Sequence, residues 1–161
     1  MTSEPSVVEV TLESDLKNLE VAEEIARRVA GTAGFSEEST HQIEMALHES
    51  MINAIWHGNK NDPSKSVWLR FEIHQDRLEI RVRDQGNGFN IDEVPDPCST
   101  ENLLKVSGRG IYLIRTFMDE FHVKYLPGSG TEVTMVKRID PAQQPKQGGT
   151  DREHEGHNST S

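Results

Sequence analysis

Apolar and polar residues alternate from Val7 to Leu12, with Val8, Val10 and Leu12 on one side, which predicts a half-buried strand. Ser14 or Asp15 can then cap a helix whose apolar positions Leu16, Leu19, Val21, Ile25, Ala26 and Val29 recur at three and four; Gly31 or Gly34 supplies its stop. A second helix follows at once. Ser36 caps it, Glu37 and Glu38 complement its positive end, and Ile43, Ala46, Leu47, Ser50 and Ala54 form a core stripe running on to His57 before Gly58.

The period then changes. Asn59 to Ser64 is a dense turn signal, after which Val67, Leu69, Phe71 and Ile73 alternate with polar neighbours; Gln75-Asp76 turns the chain into Leu78, Ile80 and Val82. Two antiparallel strands are expected. From Gln85 to Gly110 glycine and proline punctuate a segment without regular apolar period, too long for an ordinary connection and of the kind that serves as a lid or binding loop. A third helix starts near Gly108 to Gly110 and buries Ile111, Leu113, Ile114, Phe117 and Met118. Phe121, Val123 and Tyr125, then Val133, Met135 and either Lys137 or Ile139, predict two last strands around a Pro127-Gly128 turn. Residues 1–140 are therefore read as one domain. Residues 141–161, rich in Pro, Gln, Gly and charge, are expected to be a disordered tail. The fold class is α+β, with three helices on one face of a mixed, mostly antiparallel sheet.

Charge narrows the partners. A formal net charge of −10 over 161 residues argues against direct grip on nucleic acid or an anionic membrane, both of which need clustered Lys and Arg. No run of about 18 apolar residues and no signal-peptide pattern occurs, so a cytoplasmic location is expected. Cys98, the single cysteine, excludes an intrachain disulfide and a cysteine-based zinc centre.

Three motifs are candidates for chemistry, the plain alternatives being a solvated helix face for the first and an ordinary β-turn for the second. On the second helix Glu49, Asn53 and His57 recur every fourth residue; the amide of Asn53 offers a hard oxygen suited to Mg²⁺, and Glu49 a carboxylate that can orient or accept a proton. Asp84-Gln85-Gly86-Asn87-Gly88 follows a strand, where glycines let backbone lie close to a flat ring and Asp84 can accept from an exocyclic amine. Ser107-Gly108-Arg109-Gly110 opens the third helix, whose free N–H groups suit phosphate. Neither a Walker lysine motif nor a Rossmann glycine fingerprint is present. His48-Glu49 is not a zinc-protease pair, because position 52 is Ile rather than His.

Taken in order, the Glu-x-x-x-Asn helix, the Asp-x-Gly-x-Gly loop, the Gly-x-Gly helix start and the final Gly-Thr-x-Val strand resemble the GHKL ATPase superfamily. Within it, Glu49 to Asn59, Gly108 to Ile114 and Met118-Asp119 are similar to the anti-sigma-factor serine kinases, and the resemblance covers roughly residues 7 to 139. The resemblance implies a two-layer sandwich of Bergerat type that binds ATP with Mg²⁺. Asn53 would hold the Mg²⁺ and Glu49 would activate an attacking hydroxyl. Asp84 would take the adenine amine, with Gly86 and Gly88 beside the base and Thr131 helping to hold it. Gly108, Arg109 and Gly110 would lie against the phosphates, and Asn90 to Ser107 would be the lid. Lys105 and Arg109 are the nearest cations for the γ-phosphate, with a plain lid-surface role equally open. His57 is expected to end the helix and pack rather than touch ligand.

The same resemblance implies a serine/threonine-protein kinase acting on a STAS-type anti-sigma antagonist, with a sigma factor as competing ligand and a homodimer open. The alternative is a non-catalytic ATP-binding module that sequesters its partner. A sensor histidine kinase would need dimerisation helices, and a gyrase-type ATPase a transducer domain, for which this sequence has no room.

Overall fold

Strands form where the apolar period is two. In the computed structural model, which describes residues 4–86 and 109–140, β1 spans Ser6–Glu13, β2 Ser66–Ile73, β3 Arg77–Arg83, β4 Glu120–Leu126 and β5 Gly130–Arg138. They make one sheet in the order β1-β2-β3-β5-β4, with every pairing antiparallel. Its register stacks Leu69 on Val82, Phe71 on Ile80 and Ile80 on Met135, so the buried face of the centre is continuous. Burying each such side chain is worth about 1.5–3 kcal/mol, and truncating Phe71, which is 0% exposed, would cost about 3–5 kcal/mol. At the sheet edge, Val7 and Val8 stay exposed and only Val10 and Leu12 reach the core.

The helices cover that face. Asp15 caps only a short 3₁₀ turn, Leu16–Asn18, by accepting from Lys17 N at 2.9 Å; α1 begins afterwards and spans Leu19–Ala33. Its buried stripe is Ala22, Ala26, Val29 and Ala30, small residues that let α2 approach closely, whereas Leu16 and Val21 remain in solvent. Gly34 stops α1 at φ 94°, a left-handed conformation that favours glycine. α2 spans Glu37–Ile52, started by Ser36 Oγ accepting from Ser39 N, and buries Ile43, Ala46, Leu47, Ser50 and Met51.

The expected run of α2 to His57 is corrected in one respect: the last turn, Asn53–Gly58, widens into π geometry, with Asn59 N donating to Ala54 O five residues back at 2.8 Å. Lys60 (φ 52°) and Asn61 (φ 57°) then both take left-handed conformations, so the chain leaves the helix sharply. α3, Arg109–Phe117, packs on α2 through Ile111 and Ile114. Lys137, buried on β5, donates from Nζ to Phe117 O at 2.5 Å, placing a cation against α3's negative end. Burial pushes its amine below the ordinary lysine range. Gly88, Lys105, Gly108, the expected lid from Asn90 to Ser107, Cys98 and the tail from 141 to 161 lie outside the described residues.

Candidate functional site

The π turn, the end of β3 and the start of β5 converge on Asp84. Asp84 as a residue is 5% exposed, and its Oδ1 accepts from Gly86 N at 2.9 Å and Thr131 N at 3.1 Å. Asp84 N in turn donates to Thr131 O at 3.0 Å, continuing the β3–β5 ladder one residue past β3. Oδ2 makes no hydrogen bond with any described residue. Burial raises the carboxyl pKa, opposed by the two backbone N–H donors.

Three glycines make room for this group. A Cβ on Gly58 would stand 2.1 Å from Asp84 Oδ2, one on Gly86 2.1 Å from Gly58 O, and one on Gly130 2.2 Å from Asp84 O. None could be accommodated without moving the backbone or the carboxylate. Gly130 also sits at φ 111°.

Above Asp84 a cleft opens between the π turn, α3 and strands β3, β4 and β5. Ala54, Val82, Ile111, Val123 and Val133 give it apolar walls; Asn53, Asp84 and Thr131 supply polar groups. An apolar slot with a buried carboxylate at its floor fits a flat nitrogenous ring carrying an amine. Asn53 is half-buried, and its carboxamide makes no hydrogen bond to a described residue, so its oxygen is available to a cation. Glu49, a turn earlier on α2, is half-buried and unpaired among the described residues, but it is not part of the cleft lining. Gly86 backs the site from behind Asp84, and Arg109 and Gly110 open α3.

Other contributors escape a motif search. Ser50 lines the cleft and donates from Oγ to Met135 Sδ at 3.1 Å; Tyr125 lines it from β4. His57, expected to end the helix and pack, stands in the π turn, is exposed and lines the cleft. Gly58 and Gly130 carried a signal as glycines beside turns; contact with Asp84 explains Gly58, and adds to the positive φ that already favours glycine at 130. On the sheet's opposite face, Glu72, His74 and Glu79 also bring ligand-type atoms within 4.8 Å of one another. Arg70 and Arg81 already sit on the two carboxylates, at 2.9 Å in each case, so the group is a charge ladder rather than a free cation site.

Residues 12–137 match the histidine kinase-like ATPase domain. The chain belongs to that family of GHKL ATPases, in the branch of the anti-sigma-factor serine kinases. Its similar relatives include the serine-protein kinase RsbW of Bacillus subtilis (strain 168), 33% identical over 118 residues, or 70% of this chain and 72% of that protein. The enzyme of the same name from Bacillus licheniformis is 35% identical over 118 residues, with the same shares of the two chains covered. That from Listeria monocytogenes serovar 1/2a is 30% identical over 121 residues, 71% of this chain and 76% of that protein. A solved histidine kinase domain from a blue-light activated histidine kinase of Erythrobacter litoralis aligns with a TM-score of 0.49 and 19% identity, covering 75% of this chain and 60% of that one. Among the described residues no helix is long and apolar enough to cross a membrane.

Proposed function

We propose that this chain is an Mg²⁺-dependent serine/threonine-protein kinase of a cytoplasmic anti-sigma system, passing the γ-phosphoryl group of ATP to a hydroxyl of a STAS-type antagonist, with a sigma factor as the competing partner. The observation that carries the reading is Asp84, a buried carboxylate whose Oδ2 has no hydrogen-bond partner among the described residues, at the floor of an apolar cleft that Asn53 also lines. In this reading Asp84 accepts from the adenine amine, and the wall residues exclude water from the ring. Asn53 holds Mg²⁺ through its amide oxygen. ATP supplies the phosphoryl group, so the work left to the protein is positioning and charge neutralisation. Glu49 orients the incoming hydroxyl and takes its proton as the new P–O bond forms and the γ-phosphorus parts from the β,γ-bridging oxygen, which leaves with ADP.

A second reading, a non-catalytic ATP-binding module that sequesters its partner, is favoured by one observation: Glu49 stands outside the cleft lining. Transfer of labelled γ-phosphate to a STAS antagonist, with ATP affinity measured alongside by calorimetry, separates the two. Glu49→Ala should leave ATP affinity within about twofold and lower the transfer rate by about 10²–10⁴. Transfer at the wild-type rate by Glu49→Ala removes Glu49 from the mechanism, and a wild type that binds ATP and the antagonist but transfers nothing establishes the module.

A further inference from the structure

Immediately after the π turn, Asn59 is 0% exposed, and both ends of its amide are engaged. Oδ1 accepts from Gln85 N at 2.7 Å, and Nδ2 donates to Ser66 O at 3.0 Å. Its backbone N–H makes the bond to Ala54 O that widens the helix. Gln85 closes the circuit, its Oε1 accepting from Ser66 N at 2.8 Å. A buried polar side chain that meets partners on two other segments ties them together, because separating them leaves its amide unsatisfied.

The segment it ties is the site itself. Gln85 lies between Asp84 and Gly86, and Gly86 N holds Asp84 Oδ1. From the other side Gly58, the residue before Asn59, leaves no room for even a Cβ against Asp84 Oδ2. Asn53 opens the same six-residue turn that Asn59 follows. The amide of Asn59 thus sets the height of Asp84 relative to the end of α2.

We propose that Asn59 is a positioning residue for the nucleotide site, acting through Gln85 to fix Asp84 and thereby the preference for adenine over guanine. The proposal rests on the ATP-binding reading above. Adenine presents an amine donor where guanine presents a carbonyl acceptor, so a carboxylate held still attracts the first and repels the second. A carboxylate free to swing away discriminates less. Sites that hydrogen-bond a substrate group gain their selectivity from groups that cannot relax.

Calorimetric titration of the full chain with Mg-ATP and with Mg-GTP tests this, at a temperature well below each variant's melting midpoint. Asn59→Ala should weaken ATP binding about tenfold, the loss of one well-made hydrogen bond, and leave the weaker GTP binding unchanged, so the ratio of the two affinities collapses. Gln85→Ala removes the Oε1 bond to Ser66 but keeps the backbone N–H on Asn59; it should lower the melting midpoint and preserve the ratio. Asn59→Asp keeps the acceptor for Gln85 N and loses the donor to Ser66, so its ratio should also stay near wild type. A wild-type ratio in Asn59→Ala overturns the proposal, as does a collapsed ratio in Gln85→Ala. Should Asn59→Ala fail to fold, a collapsed ratio in Asn59→Asp overturns it equally. Failure of the wild type to bind ATP at all would instead defeat the nucleotide reading, a result distinguishable from wild-type binding with indifferent variants.

Discussion

Glu72 on β2 and Asp84 just past the end of β3 are carboxylates on opposite faces of one sheet, and their surroundings treat charge in opposite ways. Glu72 stands on the solvent face beside Arg70, Nε to Oε1 at 2.9 Å, with Arg81 and His74 nearby. The Arg70 hydrogen bond holds its carboxyl below the ordinary glutamate range, outweighing partial burial. The same face continues in matched pairs: Arg81 on Glu79, Arg83 on Glu132, with the Arg83 guanidinium 4.6 Å from the centre of the Trp68 ring. Asp84 has no cation in hydrogen-bonding contact among the described residues, only two backbone N–H donors on one oxygen, and burial pushes its pKa up. A saturated carboxylate stabilises a surface. One buried with an oxygen to spare costs stability and leaves an acceptor for a ligand.

The largest effect should come from filling the space that protects the second kind. Gly58→Ala would drive its Cβ into Asp84 Oδ2, 2.1 Å away, so ATP binding should be lost in calorimetry and the denaturation midpoint should fall by an amount equivalent to about 1–3 kcal/mol. Binding at wild-type affinity would mean that Asp84 is not where ATP is held.

Asp84→Asn keeps an oxygen for Gly86 N and Thr131 N but turns an amide donor toward the adenine amine. ATP affinity should drop about ten- to a hundredfold. The melting midpoint at neutral pH should hold or rise, because the variant no longer buries a charge. A large loss of stability would show that the carboxylate is structural rather than held in reserve for ligand.

Acidity distinguishes the two regions by sign. Asp84 has a raised folded-state pKa, so its contribution is fully present below the ordinary aspartate range and is lost as pH rises through the folded value. Wild type should therefore lose ground to Asp84→Asn as pH climbs from about 4 to about 7. Glu72 has a lowered pKa, so its contribution is present above the glutamate range and is lost as pH falls through the folded value. Glu72→Gln should accordingly trail wild type most at neutral pH and close the gap on acidification. Urea denaturation of the three proteins across that range provides the check; gaps of the same sign would dissolve the contrast.

The smallest effect is the Glu72→Gln deficit itself, about 0.2–1 kcal/mol as for other partly exposed ion pairs, with ATP affinity unchanged. Altered ATP binding in this variant would show that the two faces of the sheet are coupled.

Much of the architecture was legible in the chain because its signals are local. Alternation at Val67 to Ile73 and Leu78 to Val82, the Ser36 cap, the Gly34 stop and the stripe Ile43, Ala46, Leu47, Ser50 and Ala54 each express a backbone period or an end effect that neighbouring residues decide among themselves. The order of motifs likewise brought Asn53, Asp84 and Thr131 to notice before any of them could be seen to share a cleft.

What only tertiary structure decided depends on segments far apart in sequence. Helical spacing alone would carry α2 straight through His57, whereas the chain widens at Asn53; Asn59, at the exit of that turn, bonds to Gln85, 26 residues on, and to Ser66 on β2. Gly130 answers a local turn by its φ of 111°, but that its missing side chain also clears Asp84 O, 46 positions earlier, is a demand only the packed strands make. Lys137 keeps strand period but is buried because α3 ends above it and offers Phe117 O. A period states which way a residue points; what it meets there is fixed only when other elements have packed, since burial and hydrogen-bond satisfaction belong to pairs of segments.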